Sequence, residues 1–571
     1  MLIAGKDACA LVESLLSKFN FMGSKFIQKI IFAFLSLILI SAPIFPQKSG
    51  NNAVAIYQKG VALAKKNDFS GAIQELEKAV KANPKYYEAF VALGLARQQI
   101  QDFNSAAEAF RQAITLRPKS AEPHLLLGAL LQQLNDADGA LAEYREAARI
   151  APNSAEAHSA AGFVLAATNQ LPEAIKEFET AIKLKPTLAQ AHYYLGTARY
   201  FSDDAAGAVK ALAQAAKLMP TNTDAHYYLG LAYGKTGDLP SAIASLQKAV
   251  KLAPEMLEAR QAMAEAFVAD GDLDAAAEEF RVLIKLKPDF VQGYNNLGLV
   301  LIEKRTPDEA IAIFQKALEL EPNNTLVRHN LGIALIQKAD FAAAVKNYQD
   351  LIRLSPDDAV AFYNLALAFK QQDKLDEAVT NLRRAVELQP DKLPEIYYTL
   401  GVILLQQAKL DESANAFQKA TEIKPDYGEA IYTLGSVRQQ QGKLDEAITL
   451  FRAALKFLPD APEIHNTLGA TLRAKGDIDA AKAELQEAAR LNRIKTTRQS
   501  AMFTLNTGIA NLKAGKIDAA ILQFETVIKL TPDNADGYFN LAKALKAKGK
   551  KPEAEVAYRK AKQLNPQIKP L

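Results

Sequence analysis

Apolar residues along most of this chain recur at helical spacing, in paired stripes that return every 34 residues. Residues 428–461 show one full unit. Ile431, Leu434 and Val437 form a first stripe. Ala447, Phe451, Ala454, Leu455 and Leu458 form a second, at i, i+4, i+7, i+8 and i+11. The pattern predicts two amphipathic helices of about three turns each. Gly442 stands between them, where a helix exit favours a left-handed residue, and Asp445 falls at or just inside the start of the second helix. Pro459 closes that helix. The punctuation repeats: prolines stand at 34-residue steps from Pro84 to Pro390, and glycines keep the same step from Gly60 to Gly230.

A period of this length marks a solenoid, whose units bury their apolar faces only against one another. Gly435, Ala447 and Ala454 keep volume low where the two helices approach most closely. A large residue at the fourth place (Ile431), Leu434-Gly435 at the seventh and eighth, and Ala447, Ala454 and Pro459 at the twentieth, twenty-seventh and thirty-second together resemble the tetratricopeptide repeat (TPR) pattern. The resemblance implies an all-α, right-handed α-α superhelix of about 15 helix-turn-helix repeats. Units counted from Ala53 cover nearly everything to residue 568. Fourteen end in the expected proline, and Arg493 takes its place in the other. Two places break the period: an insertion within Asp391-Lys392-Leu393, and extra residues within Asn492–Ser500. The expected organisation is thirteen repeats over 53–493, an irregular linker over 494–500 and two repeats over 501–568, set off from the first thirteen.

The N-terminal stretch is of another kind. Lys25 and Lys29 precede an apolar run, Ile30 to Ile40, that ends at Ser41, Ala42 and Pro43. Residues 1–47 therefore read as a secretory signal peptide, or as an uncleaved N-terminal membrane anchor. Either places the repeats outside the cytoplasm, in the periplasm or beyond. Asp7 and Glu13 suit a basic leader poorly, so translation from Met22 is an alternative to Met1. Cys9 is the only cysteine, which leaves no disulfide or thiolate metal site within one copy. Lys and Arg number 68 against 64 Asp and Glu, a net charge of +4 that argues against nucleic acid as a partner.

The TPR resemblance implies that the first helix of each repeat lines the concave wall, with positions 2, 5, 6, 9, 12 and 13 facing inward. Position 6 reads Asn296, Asn330, Asn364, Thr399, Thr433, Thr467, Asn506 and Asn540 from repeat 8 onward. An amide donates and accepts, so it can pair with a peptide backbone without reading side chains. The series is similar to the asparagine ladder in the repeat arm of O-linked N-acetylglucosamine transferases; in repeats 2 to 4 the position holds Ala92, Leu126 and Ala160 instead. Position 5 supplies Tyr193, Tyr227, Tyr363, Tyr398 and Tyr432, and Tyr194 and Tyr228 extend the stripe. Tyrosines suit binding surfaces, and equally the core between repeats.

His124, His158, His192, His226 and His465 all fall at position 4. Packed helices lie about 8–10 Å apart, too far for such residues to converge on one ion, so no metal is expected. No phosphate loop, GxSxG or HExxH motif appears, and no cofactor is expected. The sequence thus predicts a non-catalytic, exported scaffold that binds extended polypeptide, in envelope assembly or export. The alternatives are an adaptor subunit for a separately encoded enzyme such as a glycosyltransferase, and a homo-oligomeric structural protein whose last repeat is covered by a second copy.

Overall fold

The computed structural model describes residues 51–568, 570 and 571. The apolar run proposed as a signal or anchor lies outside the described residues, and so does Cys9. Among the described residues there are 29 helices and no strand. No helix there is long and apolar enough to cross a membrane. The chain divides into two compact units, which meet in sequence between Thr306 and Pro307. Within each unit, consecutive helices pack as antiparallel hairpins and each hairpin packs on the next.

The close approach inside a hairpin is set by position 8. A Cβ on Gly128 would lie 2.8 Å from the Tyr144 ring, and one on Gly435 would lie 2.7 Å from the Phe451 ring. The same meeting of Gly and a large residue at position 24 recurs as Gly94 with Phe110, Gly162 with Phe178, Gly401 with Phe417 and Gly508 with Phe524. Position 24 is thereby sealed: Phe110, Tyr144, Phe178, Phe417, Phe451 and Phe524 are all completely buried. Ala447 and Ala454 are buried too, as the spacing predicts.

Position 15 adopts the left-handed conformation in every described repeat. It is glycine at Gly237, Gly271, Gly442, Gly476, Gly515 and Gly549, but Asn, Gln, Asp, Arg or Ala elsewhere, with φ near 60°. The tight exit is therefore a requirement of the hairpin, met even where the residue resists it. Asp at position 16 caps many second helices; the carboxylates of Asp68, Asp136 and Asp204 accept from the backbone N–H three residues on.

The irregular linker expected over 494–500 is not there. The second helix of repeat 13 and the first of repeat 14 form one 36-residue helix, Ile478–Lys513. Arg493 replaces the proline that would have stopped it, and no glycine or proline follows until Gly508. Extra residues in a stretch of helix-formers lengthen the helix and make no loop. At the far end, the face of the last repeat is partly covered by its own tail. Leu571 packs against the cluster of Ala542, Leu545, Ala554 and Ala557, and Lys546 Nζ donates to its carbonyl at 3.0 Å.

Two substitutions test this packing. Gly128→Ala should destabilise by about 1–3 kcal/mol, because the Tyr144 ring has nowhere to move, whereas Gly234→Ala, where an added Cβ meets nothing within 4 Å, should be neutral or stabilising in the same urea titration. Arg493→Pro should break the long helix and cost roughly 3 kcal/mol, read as lost helicity by circular dichroism and an earlier first urea transition.

Candidate functional site

First helices of successive repeats approach one another more closely than second helices do, in both units. That closer approach makes the first-helix side the inner face of each stack. The register is tied by polar contacts between neighbouring repeats. A Lys or Gln at position 14 reaches back to an Asp at position 18 of the repeat before: Lys338 to Asp308 at 2.6 Å, Gln407 to Asp376 at 2.9 Å, Gln441 to Asp411 at 2.8 Å, with Lys475 and Asp445 paired likewise. Acidic residues in the first turn of second helices thus do more than suit the helix dipole. The spacing of about 30 residues between these partners was present in the sequence and unread.

Position 4 serves the same junction. The ring Nε2 of His158, His192 and His226 lies 3.2, 2.9 and 3.1 Å from the carbonyl oxygen of the proline six residues before, and Arg260 donates to the corresponding Pro254 carbonyl at 2.8 Å. His124, His158 and His465 also place Nδ1 2.6 Å from Glu143, Glu177 and Glu484. These histidines are occupied in holding hairpins together, each with its own partners. No group of residues suited to a metal ion occurs among the described residues.

The position 6 series is less uniform than its sequence. In the first unit, Asn296 is half-buried and its Oδ1 accepts from Gln292 at 2.8 Å. In the second, Asn330 and Thr399 are buried, only 6% and 8% exposed, which corrects the expectation that they line an open wall. At Thr399 the preceding repeat contributes: the Tyr363 hydroxyl reaches forward to within 3.4 Å of Thr399 Oγ1, and Tyr432 likewise reaches the half-buried Thr467 at 3.1 Å. Thr433 and Thr467 donate to the backbone carbonyls of Glu429 and Glu463 in their own helices, and Asn540 Nδ2 donates to the Asp536 carbonyl. Asn364 is half-buried and Asn506 exposed. What remains open is a broken series, with Asn364 and Asn506 the freest members of the second unit.

The tyrosines divide in the same way. Tyr193 is buried, a correction to its expected place on the open wall, and Tyr194 and Tyr228 are buried beside it. Burial raises the Tyr193 hydroxyl well above its ordinary pKa. Tyr227, Tyr363, Tyr398 and Tyr432 are half-buried. Tyr398 lies 5.2 Å from Tyr427 between ring centres, and Tyr432 lies 5.8 Å from Phe451. Sequence reading missed Tyr200 and Phe201, at positions 12 and 13, which meet Tyr228 edge-on at 6.1 and 6.0 Å. A separate cleft of about 630 Å³ lies between the long helix and the turn that ends the next helix, lined by Arg490, Arg493, Arg498 and Asp533 among others.

Family models for the tetratricopeptide repeat tile residues 57–256 and 262–568. One matches 57–121, 195–256, 262–325 and 466–525; the others fill 99–200, 301–493 and 510–568. The chain belongs to the tetratricopeptide repeat family. Among solved structures, this TPR chain is similar to MamA from Desulfovibrio magneticus RS-1 (21% identity, 30% of this chain and 98% of that one, TM-score 0.29). It is similar also to YrrB, described as a TPR protein with an unusual peptide-binding site (25%, 39% and 97%, 0.27), and to yeast Tom70 (18%, 76% and 96%, 0.33). No curated protein matches. The scores are low, and the assignment rests on the repeat models.

Glu265, at position 9 of repeat 7, is open to water yet surrounded by enough protein to push its carboxyl above the ordinary value, while a bond from Gln261 Nε2 at 2.9 Å pulls it partly back. A carboxyl raised by folding opposes folding wherever it is ionised. Glu265→Gln should therefore melt at a higher temperature than the parent at pH 7.5. The gap should shrink as pH falls through the raised value and vanish below the unfolded value of about 4.3, as followed by thermal melts across pH.

Proposed function

We propose that this TPR protein is a non-catalytic scaffold that holds an extended segment of another protein along its first-helix faces. The observation that carries the reading is the inner face itself. In repeats tiled almost end to end, side chains that donate and accept, Asn364 and Asn506 the freest of them, stand on the same face as half-buried phenol rings. Extended polypeptide has backbone N–H and C=O groups at a regular spacing, and amides such as Asn364 and Asn506 match them without demanding a sequence. Half-buried tyrosines add contact area at low cost in conformational entropy.

The apolar run at Ile30–Ile40, with Lys25 and Lys29 before it, supports export, through a cleaved signal or an anchor. The reading is thus of an envelope protein that works in assembly or secretion outside the cytoplasm. An alkaline phosphatase fusion at the C-terminus should be active in a bacterial host, and the fusion lacking residues 1–47 should be inactive.

For the binding surface, a photo-crosslinking residue at position 364 or 506 should capture a partner protein from envelope extract. One on the second-helix face, at position 522, should not. Asn364→Ala with Asn506→Ala should lower the amount of that partner retained by the immobilised protein about fivefold or more without changing the melting temperature. Equal capture from both faces would overturn the reading.

A further inference from the structure

The inner face of repeats 5 to 7 in the first unit differs from the rest in three ways that converge. The first is aromatic. Tyr200 and Phe201 from repeat 5 and Tyr227 and Tyr228 from repeat 6 form one cluster, with Tyr227 and Tyr228 5.1 Å apart and Tyr200, Phe201 and Tyr227 only half-buried. An aromatic face is electron-rich and attracts a cation. The cluster already does this once, for Lys235 Nζ lies 4.5 Å over the Tyr200 ring while paired with Asp203 at 2.8 Å.

The second is charge. Glu265 from repeat 7 lies close enough to Tyr227 to act on it electrostatically, as does Glu258, and Asp224 acts on Tyr228. Glu265 accepts one hydrogen bond from Gln261 and has no cationic partner among the described residues. Lys235 is the basic side chain near the cluster, and Asp203 holds it. Arg199 and Arg260 are engaged elsewhere, with Glu179 and Glu279.

The third is space. Gly234 occupies position 12 of repeat 6, where repeat 5 has Tyr200. It is exposed, in ordinary helical conformation, and an added Cβ would meet nothing within 4 Å. Helix geometry does not require glycine there, and a helical glycine weakens its helix relative to alanine. Packing does not require it either, in contrast to Gly128 or Gly435. Tyr200 at this position meets the first helix of repeat 6, so by the same register the space left open at Gly234 faces the first helix of repeat 7, which carries Glu265.

We propose that this opening receives a lysine or arginine side chain of the bound polypeptide, its alkyl stem beside Gly234, its charge between the ring of Tyr227 and the carboxylate of Glu265. The inference rests on the scaffold reading above and gives it a preference: partners carry a basic residue in the segment that crosses repeats 5 to 7. Charge complementarity selects this occupant. An acidic segment would meet Glu265, and an apolar one would leave Glu265 without a counter-ion.

The test uses the full repeat array and three fluorescein-labelled 15-residue peptides of Ser and Ala, differing only in three central residues: Arg, Gln or Glu. By fluorescence anisotropy at low salt, the Arg peptide should bind about tenfold more tightly than the Gln peptide, as one desolvated cation–π contact with an ion pair supplies, and the Glu peptide most weakly. Gly234→Leu should lower affinity for the Arg peptide about tenfold without lowering the melting temperature, and Glu265→Gln should do so with a weaker salt dependence. If all three peptides bind alike, or if Gly234→Leu leaves Arg affinity unchanged, the basic-residue site is wrong while the scaffold stands. If no peptide binds at millimolar concentration while crosslinking at position 364 succeeds, the site is likewise refuted. Failure of both refutes the scaffold as well.

Discussion

Everything in this molecule depends on how closely two helices of a hairpin can approach. A glycine at position 8 lies against the ring or branched side chain at position 24, and alanines at positions 20 and 27 of most repeats keep the remaining contact thin. Where position 8 is not glycine it is alanine, as at Ala264, Ala366 and Ala542, all completely buried. With the approach fixed, a single large side chain such as Phe451 closes the hairpin core. The exit turn has to be tight enough to return the chain at that distance. This explains why position 15 is left-handed even at Ala339 and Ala408, whose side chains resist that conformation.

Stacking of hairpins is a second and separately built interaction. Pairs such as Lys338 with Asp308, and the bonds from His192 or Arg260 to proline carbonyls, are largely at the surface and weak one at a time. Their value is registration. They engage positions 4, 14 and 18, and none of them uses positions 9 or 12 of the first helix. Some inner-face side chains also join neighbouring repeats, as Tyr363 does with Thr399 and Gln98 with Gln133, and those that neither close a hairpin nor join repeats are the ones available to a ligand.

The fold was legible because each repeat restates the same constraints, so that one ambiguous position is outvoted by the others. The site was less so. Position 6 carries Asn330 and Asn364 in successive repeats, yet one is buried and the other half-open. Neighbouring helices reach over some members of the series, as Tyr363 does over Thr399, and a one-dimensional pattern records identity without reach. Threonines that read as rungs turn back to their own helix carbonyls, a local bond always within range. Arg493 misled in the other direction. A missing proline reads as irregularity, when what it removes is the stop of a second helix.

The same reasoning separates two kinds of glycine on this chain. Gly128, Gly435 and their counterparts are explained by what they touch, and the left-handed glycines by the angle they adopt. Gly234 has neither explanation: it touches nothing, its backbone is ordinary, and it gives up helix stability that alanine would supply. A residue whose only local effect is to keep space open belongs to a surface and not to a core. It shares a helix with Tyr227 and Tyr228 and stands one repeat from Glu265, a carboxylate without a cationic partner among the described residues. In an array where most departures from the repeat pattern can be traced to packing, one that packing does not account for is where specificity should be sought.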